Sequence, residues 1–108
     1  MWIHLLHYFL HFFAIIAIAY CYQPKQWKLN YLILLATMLV DLDHLCASPI
    51  FDPNRCSIGT HTFHTPLFIS VYVTTLVVVK NYHVKLIALG LVFHMITDTI
   101  DCFLNQTW

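Results

Sequence analysis

The chain has 108 residues, of which 60% are hydrophobic and 9% charged, with a formal net charge of zero. A soluble domain carries about 25% charged residues; together with a mean hydropathy of +0.73, this is the composition of a membrane protein, and the length allows one compact unit. Five Lys and Arg balance five Asp with no Glu, so the basic patch that nucleic-acid binding would require is missing.

Residues 2–22 form the first apolar run, long enough to span a bilayer at about 20 residues. Ala17-Ile18-Ala19 has the small-x-small look of a signal-peptide cleavage site, but the segment before it carries three His and no Lys or Arg, which favours a retained helix. His4, His7 and His11 are spaced i, i+3, i+7 and fall within an arc of roughly 60° on one helix face. His4, near the chain start, belongs either to that polar face or to the headgroup region. A polar connector with Pro24, Lys25, Trp27 and Lys28 follows, and Tyr20, Tyr22 and Trp27 fit an interfacial aromatic belt.

Residues 30–47 form the second span. It ends in Asp41-Leu42-Asp43-His44, an expensive set of ionisable groups for a run this apolar and therefore a mark of function. On a regular helix Thr37, Asp41 and His44 share a face, while Asp43 points about 200° away from Asp41 unless the helix ends or bends there. Ser48-Pro49 favours such an ending. The loop to Thr60 contains Asp52-Pro53-Asn54, a turn sequence, and Gly59 gives backbone freedom before His61-Thr62-Phe63-His64.

Pro66 suits the first turn of a third helix over about 65–80. Its Val/Thr content would also fit a strand, but a lone strand cannot satisfy its backbone in lipid. The fourth span covers about 84–104 and carries His94, Asp98 and Asp101 at i, i+4, i+7. Cys21, Cys46, Cys56 and Cys102 show no C-x-x-C spacing, which disfavours a thiolate zinc site. Cys46 and Cys56 flank one loop, where they either pair in an oxidising compartment or stay as buried thiols.

The expected fold is therefore all-α: an integral-membrane, antiparallel four-helix bundle with short loops. Alternating direction brings the start of the first span, the end of the second, the start of the third and the end of the fourth to one membrane side. All the Asp/His clusters lie there, and Lys25, Lys28, Lys80 and Lys85 lie at the other end. Four Lys against Arg55 place the Asp/His end outside the cytoplasm by the positive-inside rule.

Imidazole and carboxylate ligands suit zinc, and also iron or manganese. The i, i+4 pairs His7/His11 and His94/Asp98 let one helix face grip an ion with two side chains. The candidate ligands are His7, His11, Asp41, His44, His61, His64, His94 and Asp98. This exceeds the need of one closed tetrahedral ion, so either several ions or one ion with catalytic and supporting groups is expected. Bound water would be the nucleophile and Asp43 the general base. A metal-binding or transport protein, a redox protein, or a structural protein with an internal polar network are the competing readings.

Asp41-Leu42-Asp43-His44, the stretch ending His64-Thr65, and His94-Met95-Ile96-Thr97-Asp98 resemble the YdjM-like membrane-bound metal-dependent hydrolases. That family carries a D-x-D-H element, an H-x-x-x-T-H-S element, a late H-x-x-x-D and an early His. Over nearly its full length the chain also resembles a family of small bacterial membrane proteins with Leu6-His7-Tyr8-like and Phe51-Asp52-Pro53-Asn54-Arg55-like segments. The resemblance implies a multi-pass protein of the bacterial inner membrane. It implies a metal-dependent hydrolase site of Asp41, Asp43, His44, His64, His94 and Asp98 with His7 or His11. The expected substrate, a small molecule or lipid such as a phosphoester at the membrane surface, is not part of that resemblance. His61 and His64 stand three apart where the family has five, and Thr65 replaces a Ser.

Overall fold

The computed structural model describes residues 2–46, 56, 58–59 and 62–105, with the side chains of His4, residues 42–46, Thr62 and Asn105 outside the description. The regular elements among the described residues are all helices, with no strand among them. Helix α1 runs through Trp2–Phe9, widens into a π segment at Leu10–Ala14 and resumes over Ile15–Tyr22. Gln23 is extended and Pro24 opens a short 3-10 turn. Helix α2 follows as Trp27–Ala36, then tightens into a 3-10 coil over Thr37–Cys46. Helix α3 is Pro66–Val78, with Thr65 extended before it and Pro66 in its first turn, where a missing N–H costs nothing. Helix α4 is Tyr82–Asn105. Asn81 caps it, its side-chain oxygen accepting the His83 and Val84 amides at 3.0 and 3.1 Å.

The expectation of regular helix through Asp41 needs correcting. The Thr37 hydroxyl donates to the Leu34 carbonyl at the point where α-helix gives way to 3-10, the local competition with the backbone that Thr offers. A 3-10 run this long is uncommon. Asp41 is therefore positioned by a three-residue rather than a 3.6-residue repeat. Asp43 and His44 lie on the same coil, but their side chains are outside the described residues.

Helix α4 is the axis of the bundle and packs against α1, α2 and α3. One apolar cluster, Ile15, Ala19, Leu34 and Leu86, joins α1, α2 and α4. A second, Val40, Tyr72 and Met95, joins α2, α3 and α4. Between them α2 and α4 approach closely at Gly90, where a Cβ would stand 2.7 Å from the Thr37 methyl.

Many large apolar side chains face outward and several polar ones inward. Leu5, Phe9, Phe13, Leu32, Leu67, Val77 and Phe103 are exposed, while His11, Asn30, His64, His94, Thr97 and Asp98 are buried. Segments Leu5–Tyr22 and Tyr82–Leu104 are long and apolar enough to cross a membrane. Helix α3, at 13 residues, spans about 20 Å, short of a hydrocarbon core of about 30 Å.

Candidate metal centre

The site is built where the π segment of α1, the 3-10 coil of α2, the turn before α3 and the second half of α4 meet. His94 and Asp98 face it from one side of α4. His11 enters from the π segment, a wider turn of the kind that recurs at functional sites. Within that segment the Phe12 carbonyl accepts the Tyr31 hydroxyl at 2.9 Å, which ties it to α2. His64 comes from a 3-10 turn, Thr62–His64. Three bonds hold this turn. The Gly59 amide donates to the His64 carbonyl at 2.9 Å, with Gly59 at φ +82°, a conformation natural to glycine. The Tyr72 hydroxyl donates to the Phe63 carbonyl at 3.0 Å. A disulfide joins Cys56 to Cys102, one helical turn beyond Asp98.

That disulfide corrects the sequence expectation for the cysteines. Cys56 pairs with Cys102 and not with Cys46, because the fold carries the loop onto α4 and the two sulfurs meet across 46 residues of sequence.

Four ligand atoms converge. His94 Nε2 lies 3.0 Å from Asp41 Oδ1 and 3.2 Å from Asp98 Oδ2. His64 Nε2 lies 2.9 Å from Asp98 Oδ2, 3.4 Å from Asp41 Oδ1 and 3.4 Å from His94 Nε2. A regular tetrahedron with corners about 2.0–2.1 Å from its centre has edges of about 3.3–3.4 Å, the Zn–N and Zn–O dimension. The five separations given are near that edge length, and all four atoms lie within 4.8 Å of one another, a donor set that could hold a small divalent cation.

A second group shares Asp98. Its other oxygen, Oδ1, lies 3.5 Å from His11 Nε2 and 3.9 Å from His7 Nε2. The His7 and His11 rings stand edge to face at 4.4 Å. Behind them Asp101 Oδ1 is 3.8 Å from His7 Nδ1. The structure thus brings together His7, His11, Asp41, His64, His94 and Asp98. His61 lies outside the described residues, as do the side chains of Asp43 and His44. His83 is exposed at the other end of α4.

His94 Nε2 is hydrogen-bonded to Asp41 Oδ1 and His64 Nε2 to His94 Nε2, but the pairing of the cluster is incomplete. His11 Nε2, His94 Nδ1, His7 Nδ1 and Asp98 Oδ2 are buried and make no hydrogen bond of regular geometry among the described residues. Two carboxylates that share the same buried imidazoles need positive charge between them. Protonated imidazoles or a cation can supply it. The residues present fit a metal.

Sequence reasoning missed Asn30, the most deeply buried polar residue of the opposite end. Its position at the edge of an apolar run reads as a boundary; only the packing of three helix ends around it reveals its role. Asp101 was also undervalued, since i+3 from Asp98 does not announce a partner on α1.

No curated protein and no solved structure matches the chain. A family model described as "Family of unknown function (DUF6122)" matches residues 1–105, so the chain belongs to the DUF6122 family.

Proposed function

We propose that this protein is an integral-membrane, metal-dependent hydrolase whose ion is held by Asp41, His64, His94 and Asp98. The observation that carries the reading is the convergence of their four donor atoms, with His64 Nε2 and His94 Nε2 each 2.9–3.4 Å from the two carboxylate oxygens and from one another. Zinc fits this donor set and size best; iron and manganese accept the same ligands. The apolar exterior and two span-length helices support a membrane placement; the proposed reading is a four-pass bundle in a bacterial inner membrane, completed by α2 and α3. The Cys56–Cys102 disulfide supports an oxidising side for the site, the same side that the lysine count favours.

When bound, a divalent ion lowers the pKa of coordinated water to about 7 and supplies a nucleophile. The chain's own residues set the access. The His64, His94 and Asp98 side chains are at most 6% exposed, whereas Asp41 is 35% exposed, so solvent and substrate approach past Asp41. Asp43, two residues along the same 3-10 coil, is the proposed general base. A site at a bundle end with an apolar exterior suits a lipid or other phosphoester presented at the membrane surface.

The test uses detergent-purified protein and a chromogenic phosphodiester, with and without chelator. Hydrolysis that chelation abolishes and zinc or manganese restores, with Asp43→Asn inactive but still metal-loaded, is the expected result. Metal-loaded protein that hydrolyses neither this ester nor phospholipid vesicles would overturn the hydrolase reading and leave a metal-binding protein.

A further inference from the structure

The four-atom cage does not use everything at this end of the bundle. Asp98 presents Oδ2 to His64 and His94, and Oδ1 to His11 and His7. We propose that His7, His11 and Asp98 Oδ1 hold a second divalent cation, so that Asp98 bridges two ions in one dinuclear centre. The inference rests on the metal reading above and extends it.

Three observations carry it. The donor atoms of His7, His11 and Asp98 lie within 4.8 Å of one another, a grouping separate from the first cage except for the shared carboxylate. The His11 side chain is 3% exposed, and its Nε2 is aimed at this point without a hydrogen-bond partner among the described residues. A buried imidazole nitrogen left so has lost its water without a replacement partner, a deficit that coordination would remove. Finally, Asp101 Oδ1 stands 3.8 Å from His7 Nδ1, on the far side of the ring from Asp98. At that distance the carboxylate is not hydrogen-bonded to the ring, but it places negative charge behind the imidazole on the side away from the proposed ion.

The two positions differ in what they offer. The first has four protein ligands, the count of a closed site, and the second has three, the count of a site with room for water or substrate. His7 also lines a small cleft between α1 and α4 with Ile3, Leu6, Thr97, Asp101 and Leu104. Its walls are apolar except for Thr97 and the His7/Asp101 edge. Bridged ion pairs of this kind clamp the attacking and leaving oxygens of an in-line displacement, which fits a phosphoester better than a carboxylic ester.

The test is metal stoichiometry by elemental analysis, paired with electron paramagnetic resonance of the protein reconstituted with Mn(II). Wild type is expected to hold two ions per chain and to give the signal of an exchange-coupled manganese pair. His7→Gln and His11→Gln are expected to hold one ion each and to give the six-line signal of an isolated ion. His7 is 23% exposed, so its variant guards against loss of folding at the more buried His11. One ion in wild type, unchanged in both variants, would overturn the second site and leave the first standing. Two ions retained in both variants would overturn the assignment of His7 and His11. No ion in folded wild type after reconstitution would overturn both readings together.

Discussion

At the lysine-rich end of the bundle Asn30 is fully buried and its amide is used in both directions. Its Nδ2 donates to the Ala19 carbonyl at 3.2 Å and the Gln23 carbonyl at 3.4 Å, and its Oδ1 accepts the Tyr82 hydroxyl at 2.7 Å. The Tyr22 hydroxyl then donates to the Tyr82 carbonyl at 3.0 Å. At the other end His11, His94 and Asp98 are nearly as deeply buried; His94 Nε2 meets Asp41 Oδ1 at 3.0 Å, yet His11 Nε2, His94 Nδ1 and Asp98 Oδ2 have no hydrogen-bond partner among the described residues. The comparison separates two reasons for burying polarity in an apolar bundle. Asn30 closes a network, satisfied within the protein, that ties together the C-terminal end of α1 and the starts of α2 and α4. The His/Asp cluster is arranged around a point, which is how ligands are arranged.

Substitutions can break that contrast. The largest effect is expected at Asp98, which serves both groups of imidazoles. Asp98→Asn keeps the side-chain size but removes the charge, and bound metal should fall to background in elemental analysis. Next is the disulfide. A double Cys56→Ser/Cys102→Ser variant should lose about 2–4 kcal/mol of stability, read as a lower unfolding midpoint in detergent. It should also release metal faster to a chelator, because the turn carrying His64 is no longer fastened to α4. Asn30→Ala should cost about 1–3 kcal/mol by orphaning buried partners while metal per folded chain stays at the wild-type value. Equal metal loss in Asn30→Ala and Asp98→Asn would erase the distinction between the two ends. The smallest effect is expected for Tyr82→Phe, which removes a single hydrogen bond to Asn30 worth about 0.5–1.5 kcal/mol, again without change in metal content.

What the amino-acid sequence discloses follows physical range. Periodicity is local, so the shared face of His94 and Asp98, the shared face of His7 and His11, and the helical character of the apolar runs can be read directly. The Pro66 helix start and the back-bonding of Thr37 and Thr97 to their own helices are equally local. The Cys56–Cys102 bond and the closeness of Asp101 to His7 depend on how helices are docked and have no local signal. The π segment at Leu10–Ala14 and the 3-10 coil at Thr37–Cys46 are departures from ideal helix that a 100° repeat cannot foresee. Both deliver candidate ligands, His11 and Asp41, which is where departures from regular geometry are expected in a functional protein. Gly90 reads as an ordinary helix interruption, and only the 2.7 Å approach to Thr37 explains it.

The measurement closest to the central claim is X-ray absorption at the edge of whatever metal co-purifies with, or reconstitutes, the wild-type protein. The account predicts a shell of nitrogen and oxygen at about 2.0–2.1 Å with the outer-shell scattering of imidazole and no sulfur, diminished in His94→Ala. A sulfur shell at about 2.3 Å, or a spectrum unchanged by His94→Ala, would contradict it and move the metal away from Asp41, His64, His94 and Asp98.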